Sequence, residues 1–160
     1  MKELNITVNI HTCSYNELNN REQKLVEESQ KITQHAYAPY SGFRVGAALL
    51  LDNGVILTGS NQENAAYPSG LCAERTALFY ANSQYPNRAI VLMAITAFTG
   101  ENFVPFISPC GACRQVLLEA EMRFKNSIRI LLCGTKQIYV ISSARDLLPL
   151  AFDKIDYSIA

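Results

Sequence analysis

Two short stretches of this chain carry residue types that can hold a metal ion and move a proton. One is Cys72-Ala73-Glu74 and the other is Pro109-Cys110-Gly111-Ala112-Cys113. Each opens a segment whose composition reads as helix, so three thiols and one carboxylate can converge at two helix starts. The free N–H groups and partial positive charge of a helix N-terminus lower a thiol's pKa, and the thiolate is the form zinc binds. Three protein ligands leave the fourth tetrahedral position of zinc to water, whose pKa the metal lowers strongly; this is the arrangement of a catalytic site. Glu74 stands two positions after Cys72, a spacing that points the two side chains to different sides of a helix. It is therefore an awkward ligand and a better general acid/base, placed to take a proton from the water and hand it to a substrate.

The elements that must position these residues can be read from periodicity. Leu4, Ile6, Val8 and Ile10 alternate with polar residues, the pattern of a short strand or an extended arm. From Asn19 or Asn20 to Ala36 a helix is expected, with Leu25, Val26, Ile32 and Ala36 on its apolar face. The apolar segments Phe43 to Leu51 and Val55 to Ser60 flank Asp52-Asn53-Gly54, a tight-turn signal that predicts an antiparallel hairpin. Helices are expected over Leu71 to Asn82 and Cys110 to Phe124, and strands over Ala89 to Ala97, Ile128 to Cys133 and Ile138 to Ile141. The stretch Phe98 to Pro109 reads as a loop, and Ser143 to Phe152 as a last short helix broken by Pro149. An opening hairpin followed by alternating helices and strands predicts an α/β layered domain, a mixed β-sheet sandwiched by helices.

A chain of 160 residues suits one domain. Half of it is hydrophobic (49%) and 18% is charged, a balance that predicts a compact globule instead of a disordered chain. Fourteen basic and fourteen acidic residues cancel to a formal net charge of zero, which argues against a nucleic acid or an anionic membrane as partner and favours a small molecule. The opening Met1-Lys2-Glu3-Leu4-Asn5 lacks the apolar core of a signal peptide, and no run is long enough to span a bilayer, so a cytoplasmic protein is expected. Five cysteines, an odd number with one pair at Cys-x-x-Cys spacing, suggest reduced thiols and metal or redox chemistry more than a disulfide framework.

In order along the chain, Tyr37-Ala-Pro-Tyr40-Ser-Gly-Phe43-Arg-Val45-Gly-Ala-Ala, Asn61-Gln-Glu63-Asn-Ala-Ala-Tyr67, Cys72-Ala-Glu-Arg75-Thr-Ala, Ser108-Pro-Cys110-Gly-Ala-Cys113-Arg-Gln and Leu147-Leu-Pro-Leu-Ala-Phe152 are similar to blocks of the zinc deaminases. A first ligand of Cys instead of His places the resemblance with the short-chain cytidine deaminases, over roughly Asn19 to Phe152. It implies a layered fold of that type and a single domain over residues 19–160, preceded by an N-terminal extension over 1–18 with no clear counterpart. It further implies Zn2+ held by Cys72, Cys110 and Cys113, with Glu74 as proton shuttle. Cytidine and 2′-deoxycytidine would be deaminated to uridine and 2′-deoxyuridine, in the service of pyrimidine salvage. By the same resemblance Asn61 and Glu63 would bond the ribose hydroxyls and Phe43 would pack on base or sugar. Arg75 would offset the charge of the thiolates. Tyr67 and Phe152 would complete a neighbour's pocket in a homotetramer.

Other readings of these residues exist. A structural zinc site would want a fourth ligand from Cys133, Cys13, His11 or His35, and a thioredoxin-like redox pair would leave Glu74 and Asn61-x-Glu63 without a purpose. Cys133 sits in an apolar strand and reads as core, and His35 near a helix end as an exposed or capping side chain. Two further functions compete with the first: deamination of another cytosine nucleoside such as blasticidin S, and a non-catalytic zinc-binding protein that would not need Glu74.

Overall fold

A computed structural model describes residues 1–152. Residues 153–160, the end of the expected domain, lie outside them. Asn19 starts the first helix, α1 (Asn20–Ile32), with a reciprocal cap: its side-chain oxygen accepts from the N–H groups of Arg21 and Glu22, while Glu22 reaches back to the Asn19 N–H. The helix stops at Ile32 and a single 3-10 turn, Thr33–His35, replaces its expected last turn. Next come β2 (Arg44–Leu51) and β3 (Ile56–Ser60), the predicted hairpin. Its turn is closed by the Gly54 N–H donating to the Leu51 carbonyl at 2.9 Å, with Gly54 at φ +85°. Helix α2 (Ala73–Gln84), strand β4 (Ile90–Thr99), helix α3 (Gly111–Phe124) and strands β6 (Arg129–Cys133) and β7 (Ile138–Ile141) follow close to their predicted bounds.

Of the two forms expected for the alternating stretch Leu4 to Ile10, strand or extended arm, it takes the second: it does not enter the sheet, and the first strand is β1, His11–Cys13, which pairs with β7. Two expectations are corrected. The stretch Phe98 to Pro109 is not all loop, because β4 continues to Thr99 and turns through Gly100 (φ +59°) into β5 (Asn102–Phe103). Ser143 to Phe152 forms only a 3-10 turn, Ala144–Leu147. Ser143 caps it, Pro149 has no N–H to continue it, and Leu150 sits at positive φ.

The sheet order is β1-β7-β6-β4-β2-β3, with β5 added on β4; β4 and β6 are parallel and every other pair antiparallel. This is the mixed sheet that was expected. Alternate residues of the central strands point to opposite faces. Leu49, Met93, Ile95, Ile130 and Leu132 pack with Ala77 and Leu78 of α2 and Leu117 of α3, while Ala48, Ala94, Leu131 and Val140 pack with Leu25 and Val26 of α1. Helices thus cover both faces, α1 on one and α2 with α3 on the other. Gly59 lets α2 lie directly on β3, because a Cβ there would collide with the Ala77 backbone nitrogen.

Candidate metal centre and active site

Topology alone brings the two helix starts together. Strand β2 pairs antiparallel with both β3 and β4, so β3 and β4 run in the same direction and end at the same edge of the sheet. Helix α2 begins after the first and α3 after the second, so both N-termini gather at the carboxyl ends of these strands, where open α/β sheets place their sites. Cys72 caps α2 and Cys110 caps α3, both in extended conformation, and Cys113 lies in the first turn of α3.

Their sulfurs converge. The Cys72–Cys110 and Cys110–Cys113 Sγ separations are 3.6 and 3.5 Å, and all three lie within 4.8 Å of one another. Three sulfurs tetrahedrally arranged at roughly 2.3 Å from one zinc ion would stand about 3.8 Å apart, so the cluster has the size and the donor set for it. The hydrogen bond from Cys113 holds the Cys72 thiol down to about 5, with Arg75 adding to the effect against partial burial. Cys113 is pushed the other way, first by that same bond and then by burial, as expected when neighbouring thiols share protons.

Glu74 is 5% exposed. Burial raises its pKa above the usual carboxylate range, and the negative charge of Cys72 raises it further. Beside it, Arg75 Nη2 donates to Cys72 Sγ at 3.8 Å, while its Nε is buried without a partner among the described residues. The arrangement offers three sulfurs able to hold a metal, a carboxyl whose pKa is raised by burial and one cation to balance the thiolates.

A cleft of about 730 Å³ opens on this cluster, and Phe43, Asn61, Glu63, Tyr67, Cys72, Glu74, Arg75 and Cys110 are among the residues lining it. Asn61 is held tightly: its Oδ1 accepts from the Val45 N–H at 2.7 Å and its Nδ2 donates to the Phe43 carbonyl at 2.9 Å. Glu63 Oε2 accepts from the Tyr40 N–H at 2.9 Å, and the Ser41 hydroxyl donates to Oε1. Those bonds lower the Glu63 pKa, the hydroxyl first. Tyr67 is 78% exposed and meets Tyr40 edge-on at 6.3 Å. Phe152 does not line the cleft. It is 75% exposed, and its carbonyl accepts from Gln115 Nε2 at 2.8 Å.

Ser41 and Arg114 take part in holding this region but carry no sequence signal for it beyond lying inside the quoted blocks. Ser41 fixes Glu63, and Arg114, one residue past Cys113, bonds the segment that enters Cys110. Cys133 is buried in β6, in line with the core role expected of it.

A family model for the cytidine and deoxycytidylate deaminase zinc-binding region matches residues 19–126. The chain belongs to this deaminase family. A cytidine deaminase of Sporosarcina psychrophila is 45% identical over 139 residues, 86% of this chain and 96% of that one. One from Halalkalibacterium halodurans is 47% identical over 97 residues, covering 61% and 70% respectively. The crystal structure of the cytidine deaminase from Burkholderia pseudomallei superposes with a TM-score of 0.69 at 41% identity over 81% of this chain and 97% of that one. The Mycobacterium tuberculosis cytidine deaminase gives 0.66 at 33% identity, covering 83% and 98%. The mixed sheet with its helices is therefore the fold of the deaminase family, and zinc is the metal that the three-thiol cluster fits.

Proposed function

We propose that the chain hydrolyses cytidine and 2′-deoxycytidine to uridine and 2′-deoxyuridine, releasing ammonia. One observation carries the reading: a buried Glu74, its pKa raised by that burial, beside a three-thiol cluster able to hold a metal, in the lining of an open cleft. Cys72, Cys110 and Cys113 would hold the metal. When bound, zinc supplies a water that ionises near neutral pH. Burial strengthens Glu74's hold on a proton, which suits a group that passes one proton of the water to N3 of the base, where it stays, and the second, from the new C4 hydroxyl, to the departing 4-amino group. Water adds at C4, the C4–N bond breaks and ammonia leaves. Arg75 balances the thiolates through its bond to Cys72.

Asn61 and Glu63 face the ribose in this reading while also anchoring the loop that carries Phe43. The Asn61 amide keeps one N–H, and the Glu63 carboxylate keeps acceptor capacity, after the bonds to the protein are made. Relatives named as cytidine deaminases support a plain cytosine nucleoside over an antibiotic analogue. Tyr67 and Phe152, both strongly exposed, support a homotetramer in which they reach a neighbour's pocket. The start of the family match at residue 19 supports a division into an extension over 1–18, which lends β1 to the sheet, and a domain over 19–160. All five cysteines are free, which suits a reducing compartment such as the cytoplasm. No helix among the described residues is long and apolar enough to cross a membrane.

The test follows cytidine absorbance and ammonia release with zinc-loaded protein, with and without prior chelation. Chelator-sensitive conversion to uridine is the expected result. Absence of conversion with one zinc bound per chain would overturn it.

A further inference from the structure

Arg114 uses all three of its guanidinium nitrogens. Nε donates to the Pro109 carbonyl at 2.8 Å, Nη2 to the Ser108 hydroxyl at 3.0 Å and Nη1 to the Leu147 carbonyl at 2.8 Å. The Pro109 carbonyl belongs to the planar peptide unit that enters Cys110, so this contact sets the plane from which that side chain departs. The far anchor is itself fixed, because Leu147 ends the 3-10 turn that Glu121 of the same helix pins. The Ala144 N–H and the Ser143 hydroxyl donate to the Glu121 carboxylate at 2.8 and 2.7 Å. A closed ring of contacts therefore runs from α3 through Glu121 to Leu147, through Arg114 to Pro109, and back into α3 at Cys110.

Cys110 has particular need of it. Cys113 is buried in the first helical turn, whereas Cys110 is exposed and caps the helix without a side-chain cap bond, at the end of a segment with no regular structure after β5. Arg75, not Arg114, is the cation that bonds a thiol. The work of Arg114 is geometric: a planar fork with three fixed donor directions, which a lysine ammonium cannot reproduce.

Building on the zinc-deaminase reading above, we propose that Arg114 is a positioning residue whose guanidinium fork holds the 108–110 segment in register with Cys113, so that the Cys110 sulfur meets the metal.

The experiment uses the full zinc-loaded chain and the variants Arg114→Gln, Arg114→Lys and Ser108→Ala, with Val26→Ala, buried on the opposite face of the sheet, as a control for general destabilisation. Zinc release to a chromophoric chelator and the thiolate-to-cobalt absorption of the cobalt-substituted protein are measured. Both Arg114 variants are expected to release zinc about tenfold faster or more, with an altered cobalt spectrum and no rescue by lysine. Ser108→Ala, which removes one contact and leaves a foldable chain, is expected to release it about two- to fivefold faster. Val26→Ala should lower the thermal midpoint and leave zinc release unchanged. The proposal fails if release and spectrum stay at wild type in Arg114→Gln and Ser108→Ala, if lysine restores both, or if Val26→Ala speeds release equally. Neither readout needs a substrate, so a wild-type protein that binds zinc but leaves cytidine untouched would sink the proposed reaction and not this one.

Discussion

Cys72 Sγ and Cys110 Sγ stand 3.6 Å apart although each caps a different helix and 38 residues separate them along the chain. An ion bound between them ties α2 to α3, and because the unfolded chain has no such site its binding energy is folding energy. At free zinc about a hundredfold above its dissociation constant the gain is roughly 2.7 kcal/mol. Calorimetry should therefore show a lower thermal midpoint after chelation, restored by zinc, whereas Cys110→Ala should show no zinc-dependent shift. A midpoint indifferent to zinc in the native chain would rule out this cluster as the metal site.

Glu74 is set apart from the thiols by its burial and raised pKa. Glutamine keeps its size and polarity but cannot accept and return a proton. The Glu74→Gln variant should retain one zinc per chain and lose about 10²–10⁴-fold in kcat, the usual contribution of general acid/base help. Metal analysis together with steady-state rates decides it, and turnover near wild type would remove Glu74 from the mechanism.

How much of this was legible in the sequence depends on how far each signal reaches. The β2–β3 hairpin followed from Asp52-Asn53-Gly54, and the ligands from spacings of two or three residues, because turns and helix starts are local. Asn61 was legible as a block residue, yet its two bonds to Phe43 and Val45 cross 16 to 18 residues and have no period to announce them. The Arg114 contact to Leu147 spans 33 residues and is equally silent. Alternation over Leu4 to Ile10 left strand and arm both open, since periodicity reports that a segment can pair and not whether a neighbour strand extends far enough to meet it. Strand β7 reaches only His11–Cys13.

Glu63 supplies a pH prediction. Its pKa is lowered by the Ser41 hydroxyl and the Tyr40 N–H, so the folded state favours the ionised form. Stability from this carboxylate is fully present above the ordinary glutamate value and is lost as pH falls through the lower folded one. The difference in thermal midpoint between wild type and Glu63→Gln should therefore be constant from neutral pH down to about 5 and shrink only in more acid solution, below the ordinary value of 4.5. A difference that already changes between pH 7 and 6 would assign it to another group.

Tyr67 and Phe152 are 78% and 75% exposed, next to the cleft in one case and at the end of the described chain in the other. Leaving two large aromatic side chains in water forgoes burial, which for a side chain like Phe152 is worth roughly 1.5–3 kcal/mol. A second copy that covers them would recover it and close the open side of the site at the same stroke. In the homotetramer proposed above, where every chain is covered in this way, the solution mass should be about four times 17.8 kDa by light scattering. Tyr67→Asp combined with Phe152→Asp should shift the mass toward smaller species and raise KM for cytidine while zinc content stays at one per chain, because neither residue belongs to the three-sulfur cluster. A wild-type monomer with full activity would show that each chain completes its own pocket.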